Sequence, residues 1–161
     1  MEIRAELYPH DRGPIEELLH ATGFFNAAEL AMAMELVDDR LAHGPRSHYR
    51  LLVAEDGGRA VGYVCWGPID GTRASADLYW IAVHPSQQGA GVGKALMAAA
   101  EAWMAGDGRS RVYVETSSRP QYEPTRAFYA AAGYGVATVL EDFYAPGDGK
   151  VIFLKVLPFL H

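Results

Sequence analysis

The sequence predicts an α/β fold of the α+β mixed-sheet kind, one domain over residues 1–161, with helices on both faces of the sheet. Three observations predict it. At 161 residues, half of them hydrophobic and 21% charged, the chain has the size and composition to bury one sizeable core. The hydrophobic period then changes along the chain, from helical stripes to strand alternation and back. Finally, the stretch VHPSQQGAGVGKAL, Val83 to Leu96, leaves an apolar run, passes three alternating glycines and enters an Ala-rich helical run.

Each element follows in order. Glu2 to Leu7 reads as a short strand. From Asp11 to Ala21, Ile15, Leu18 and Leu19 recur at helical spacing, Pro14 is tolerated in the first turn, and Gly23 ends the helix. Asn26 and Glu29 form a capping-box pattern, after which Leu30, Met34, Val37 and Leu41 mark one helix face as far as Gly44. Tyr49–Glu55 and Ala60–Trp66 are strand-like about the hairpin turn Asp56-Gly57-Gly58, and Ala76–Val83 follows as a third strand. Gly91–Met104 is helical, Arg111–Thr116 a strand, and Pro124–Ala132 a short helix ended by Gly133. Tyr134–Tyr144 and Val151–Leu157 are strands flanking the turn Ala145–Gly149. The predicted order is β-α-α-β-β-β-α-β-α-β-β.

Composition narrows the partners. A net charge of -6 argues against nucleic acid, which requires a basic face, and fits a cationic small molecule or peptide. Cys65 is the only cysteine, so there is no disulfide framework and no Cys-based zinc site. The start MEIRAELYPHDRG has no apolar signal core and no segment reaches membrane-spanning length, so a cytoplasmic protein without a membrane partner is expected.

Alternating glycines before a helix suit an anion, because backbone amides can approach it closely and the helix N-terminus is partially positive. A nucleotide P-loop fails: Gln88 stands where its first glycine belongs, and Ala95 where the magnesium-binding hydroxyl belongs. A dinucleotide fingerprint fails as well, since its third glycine would fall on Lys94 or Leu96. The surviving pattern, Gln88-x-x-Gly91-x-Gly93 between a strand and a helix, resembles the Q/R-x-x-G-x-G/A signature of the GNAT N-acetyltransferase superfamily. The element order matches over nearly the whole chain.

That resemblance implies acetyl-CoA as co-substrate, an amine as acceptor, and no metal. It implies that the amides of Gly89, Ala90, Gly91, Val92, Gly93 and Lys94 cradle the pyrophosphate, with Gln88 of the signature among the cofactor-binding residues, while Ile81, Ala82 and Val83 run beside the pantetheine arm like an added strand. The family's Tyr four residues before a Gly, which protonates the departing thiolate, matches Tyr129 before Gly133; a phenol of pKa ~10 suits that task. The alternative for Tyr129 is a core aromatic beside Phe128, itself expected in the core. Where many relatives carry an Asn contacting the cofactor, this chain has Tyr122, so that contact does not carry over.

Glu115, ending an apolar strand, matches a base-assigned Glu of the ribosomal-protein N-terminal acetyltransferase branch. The alternatives are Asp77, a water relay, or a merely solvated strand-end carboxylate. His84 reads as a capping residue, His43 and His48 lack carboxylates at metal-ligand spacing, and Cys65 reads as a buried core thiol. Phe24, Phe25, Trp80, Phe143 and Tyr144 line either an acceptor cleft, the core or a homodimer interface. The competing function is a non-catalytic acyl-CoA-binding or regulatory module, which needs neither Tyr129 nor Glu115.

Overall fold

The structure, a computed structural model, describes residues 1–158. Its elements follow the predicted order: β1 (Glu2–Arg4), α1 (Arg12–Ala21), α2 (Ala27–His43), β2 (Arg50–Asp56), β3 (Arg59–Pro68), β4 (Ser75–Val83), α3 (Val92–Gly106), β5 (Arg111–Ser117), α4 (Glu123–Ala131), β6 (Gly135–Ala145) and β7 (Asp148–Val156). The strands form a seven-stranded mixed sheet in the order β1-β2-β3-β4-β5-β7-β6. None of the described helices is long and apolar enough to cross a membrane. The chain forms two compact units, Met1–Gly67 with Tyr79–Trp103, and Pro68–Leu78 with the chain from Met104 onward.

In the first unit, β1, β2 and β3 are antiparallel. Gly57 and Gly58 make the β2–β3 turn with φ of 59° and 79°, a left-handed pair that matches strand twist and that side chains rarely adopt. Period-two alternation puts Leu51, Val53, Tyr63 and Cys65 on one sheet face, packed with Ile15, Leu18 and Leu19 of α1 and Met34 and Val37 of α2. The opposite face takes α3: a Cβ on Gly62 would come within 3.1 Å of Leu96 and 3.2 Å of Val92, and Trp66 meets Trp103 edge-on at 5.6 Å. Helices therefore cover both faces, as expected.

The Asn26 side chain accepts from the Glu29 amide at 2.8 Å and the Glu29 carboxylate accepts from the Asn26 amide at 3.2 Å, a cap worth about 1 kcal/mol. The first strand ends at Arg4 rather than Leu7. There the guanidinium turns onto buried Asp11 with two bonds of 2.7 and 2.8 Å, and Asp11 also takes the Tyr8 amide, so the chain folds away from β2.

In the second unit, Ser75–Leu78 of β4 runs parallel to Arg111–Val114 of β5, and β5, β7 and β6 continue antiparallel. The β6–β7 connection is tighter than predicted: Pro146 and Gly147 alone make the turn, with Gly147 at φ 79° and its amide donating to the Asp142 carboxylate at 2.8 Å. Asp148 to Lys150 thus belong to β7. Lys155 Nζ donates to the Ala132 carbonyl at 2.8 Å and closes the C-terminal end of α4 beside Gly133.

Candidate active site

The glycine loop belongs to the first unit. After Val83, the His84 amide donates to the Val61 carbonyl at 2.8 Å and His84 Nδ1 accepts from the Ser86 amide at 3.1 Å, so this histidine caps the turn. Gln88 Nε2 donates back to the Val83 carbonyl at 3.3 Å, bracing the loop across its base. Gly89 and Gly91 adopt φ of 84° and 81°, conformations open to glycine at little cost. Gly93 is already helical in α3, so only two of the three alternating glycines serve the loop's backbone.

The Gln88 and Ala90 amides bond within the loop, each at 3.3 Å, whereas those of Gly89 and Gly91 donate to no described residue. The first helical bond is Ala95 to Gly91 at 3.0 Å, leaving the amides of Val92, Gly93 and Lys94 without a carbonyl in their own helix. No acidic side chain stands in that first turn. Five amides without an acceptor among the described residues, at and just before a helix N-terminus, are chemically suited to a phosphate or pyrophosphate. Just before the loop, Ala82 is buried in the α1/α2 core, so its backbone is the part left for a ligand, while Ile81 and Val83 are half-buried.

The second unit carries the two residues proposed for proton transfer. Tyr129 projects from α4 and is 5% exposed, its ring 5.7 Å from Phe128, 6.0 Å from Tyr134 and 5.7 Å from Phe153. Phe128, expected in the core, is only half-buried, because α4 turns Tyr129 and not Phe128 toward the sheet; the burial of Tyr129 matches its alternative reading as a core aromatic. Burial pushes the Tyr129 phenol above its ordinary 10.0, since the phenolate would lose its hydration. No described residue hydrogen-bonds its hydroxyl.

Glu115 is the residue after the last β5 position paired with β4. It is exposed, and its Oε2 lies 3.0 Å from Lys150 Nζ. That ammonium also stands 3.8 Å from the centroid of the Phe143 ring and 6.0 Å from that of Tyr144. Glu115 pairs with Ile152 while Val114 pairs with Phe153, the ring that Tyr129 packs against. Alternation therefore puts Glu115 and Tyr129 on opposite faces of this part of the sheet. Asp77 pairs with Tyr113 and so shares the Glu115 face, half-buried.

Sequence reasoning missed Lys150 and its aromatic neighbours as companions of Glu115. Taking Ala145–Gly149 as the turn left Lys150 next to a loop. The signal was the dipeptide Pro146-Gly147, which makes a turn alone and puts Lys150 in register with Ser117, diagonal to Glu115.

The Cys65 thiol is fully buried and burial pushes it far above its ordinary 9.0, which leaves it inert as a nucleophile. His48 Nε2 meets the Tyr79 hydroxyl at 3.2 Å and His43 Nδ1 the Asp39 carbonyl at 3.1 Å. Tyr122 is the residue before α4, half-buried. Phe25 meets Trp80 edge-on at 5.3 Å at the border of the core. Phe24 is exposed.

The sequence profile of the Acetyltransferase (GNAT) family matches residues 15–134. A GNAT-family structure from Desulfovibrio desulfuricans is 37% identical over 98% of this chain and 99% of its own, with a TM-score of 0.94. An aminoglycoside 6'-N-acetyltransferase complexed with coenzyme A is 18% identical over all of both chains (TM-score 0.78). The ribosomal-protein-S18-alanine N-acetyltransferase from Escherichia coli is 17% identical over 99% of this chain and 96% of its own (TM-score 0.76). Those two likenesses show the fold alone. No curated protein matches the chain. The profile spans most of the chain and the 37% likeness nearly all of it, so this protein belongs to the GNAT acetyltransferase family.

Proposed function

We propose that the protein is an acetyl-CoA-dependent N-acetyltransferase that moves an acetyl group onto a primary amine of a small molecule or peptide by direct attack in a ternary complex. The observation that carries this reading is the loop with five amides lacking an acceptor among the described residues, at Gly89 and from Gly91 to Lys94, with no acidic side chain in the first helical turn. The loop fits the pyrophosphate of coenzyme A, the ligand of one GNAT structure of the same fold. Gln88 holds the loop shape through the Val83 carbonyl, and the backbone of Ile81, Ala82 and Val83 offers strand-like partners to the pantetheine amides.

Bound acetyl-CoA supplies the thioester and, after attack, a departing thiolate. Tyr129, a neutral phenol over the whole neutral range, donates its proton to that thiolate. Glu115 accepts a proton from the acceptor ammonium, directly or through water, and Asp77 on the same face is the substitute. The free buried thiol of Cys65 suits a reducing compartment, and we place the enzyme in the cytoplasm.

Release of free thiol from acetyl-CoA across a panel of primary amines tests the reading. Turnover with at least one cationic amine is expected. Coenzyme A binding with no thiol release from any amine would make the chain a non-catalytic acyl-CoA-binding module. For Tyr129→Phe, coenzyme A affinity should hold while kcat falls by about 100-fold or more; unchanged turnover removes Tyr129 from the reaction.

A further inference from the structure

The pair Glu115–Lys150 puts a cation on the very carboxylate proposed to take the acceptor's proton. Lys150 Nζ lies 3.0 Å from Glu115 Oε2, and the two side chains are unequally exposed, 14% for Lys150 and 48% for Glu115. Aromatic rings hold the ammonium as well, with the Phe143 centroid 3.8 Å away and that of Tyr144 at 6.0 Å. Asp148, two residues before Lys150 on β7, is taken by the Ser117 hydroxyl. Glu115 is thus the one carboxylate paired with Lys150 among the described residues.

Such a pair disfavours an acceptor whose amine is its sole charge. To reach Glu115, that amine either shares one carboxylate with Lys150, which sets two cations side by side, or evicts an ammonium that is largely enclosed and leaves it unpaired. An acceptor that carries its own anion avoids both costs. Its ammonium takes Glu115 while its anion takes Lys150, so four charges alternate in sign and none is left alone. The 3.0 Å separation sets the length of such a molecule. Bonds of about 1.46 Å from N to Cα and about 1.52 Å from Cα to the carboxyl carbon put a carboxylate oxygen roughly 3 Å from the amine of an α-amino acid. Laid head to tail on the pair, it meets both groups without moving either.

We propose, on the N-acetyltransferase reading above, that the acceptor is a free α-amino acid, its amine at Glu115 and its carboxylate at Lys150. Lys150 is then the residue that sets acceptor specificity. The amine nitrogen forms its bond to the acetyl carbon as the C–S bond breaks. Of the two protons the ammonium loses, one leaves through Glu115 to solvent and the other replaces the proton that Tyr129 gives to the thiolate. The N-acetyl product keeps its carboxylate but offers Glu115 no ammonium, so Lys150 regains its partner and the product is held more weakly than the substrate.

Two readouts test this: thiol release from acetyl-CoA, and the thermal shift of the coenzyme A-loaded protein on adding acceptor. The probes are the proteinogenic α-amino acids, each beside its amide and its decarboxylated amine. At least one free amino acid should turn over with kcat/KM tenfold or more above its amide and its amine, and raise Tm where they do not. Lys150→Met should bring the ratio of acid to amide close to one, and Lys150→Arg should keep it above one. Amides or amines that match the free acids, a preference that survives Lys150→Met, or silence of every free amino acid in both readouts would each overturn the assignment. Turnover of amines without regard to a carboxylate would leave acetyl transfer standing and remove the amino-acid site. A carboxylate-dependent shift lost in Lys150→Met, without thiol release from any probe, would do the reverse.

Discussion

Burial among Phe128, Tyr134 and Phe153 extends the protonated range of Tyr129 upward. Because desolvation raises its pKa, the phenol stays a proton donor throughout the neutral range and beyond its ordinary 10.0. Glu115 is set differently, by a neighbour: Lys150, itself held against the Phe143 ring, contacts its carboxylate. If Glu115 is the base, an acceptor ammonium must compete with Lys150 for that carboxylate. Glu115→Gln should therefore cut kcat by about 100-fold, whereas Lys150→Met should mainly change KM for the amine. Initial-rate kinetics over acceptor concentration separate the two. Equal loss of kcat in both variants would show that the pair acts as a structural ion pair. The identity of Tyr129 and Glu115 as candidates was legible in the sequence through their spacing in the family segments. Lys150 was not, because its pairing with Glu115 depends on the β7 register.

At the scale of elements, the β4–α3 connection shows how local chemistry builds a ligand site. Gly89 and Gly91 alone occupy left-handed conformations, and the side chain of Gln88 ties the loop to the end of β4. Replacing Gly91 by Val forces a β-branched residue to a φ of 81°, which costs about 1–3 kcal/mol and displaces an amide of the loop. The expected result is a KM for acetyl-CoA at least tenfold higher, with kcat changed much less; Gly93→Ala, in a helical conformation, should be milder. Titration with coenzyme A checks both. These elements were readable because turns and caps depend on a few adjacent residues: Asn26 with Glu29, Gly57 with Gly58, Gly44 after α2. The end of β1 was misjudged because Arg4 is drawn out of the strand by Asp11, and the sequence carries no local mark of that pairing.

For the whole molecule, stability should fall at both ends of the pH range. Burial alone would push the Asp11 carboxyl up. The bonds from the Arg4 guanidinium and the Tyr8 amide outweigh it and hold the carboxyl below its ordinary 3.8. Its contribution is thus present above about that pH and lost as pH falls through the lower folded value. Arg4→Met, which leaves the buried Asp11 carboxylate without its guanidinium and with the Tyr8 amide as its remaining hydrogen bond, should cost about 3–5 kcal/mol. In the alkaline direction, Cys65, Tyr63 and Tyr129 are all buried and pushed above their ordinary 9.0 and 10.0, so their contribution is full below those values and is lost as pH rises past them. Thermal melts from pH 3 to 11 should show both declines, and Cys65→Ala should flatten the onset of the alkaline one; a flat Tm above pH 9 would refute the assignment.

The sequence by itself determined the element order, the place of the glycine loop and the choice of Tyr129 and Glu115 as candidates, because hydrophobic period, turn chemistry and motif spacing are short-range properties of the chain. Only the tertiary structure decided that Glu115 and Tyr129 lie on opposite faces, that Lys150 meets Glu115, and that β6 is the last strand of the sheet. Those facts rest on strand register and strand order. A one-residue shift in register exchanges every side chain between faces, and both are set by packing between residues far apart in sequence.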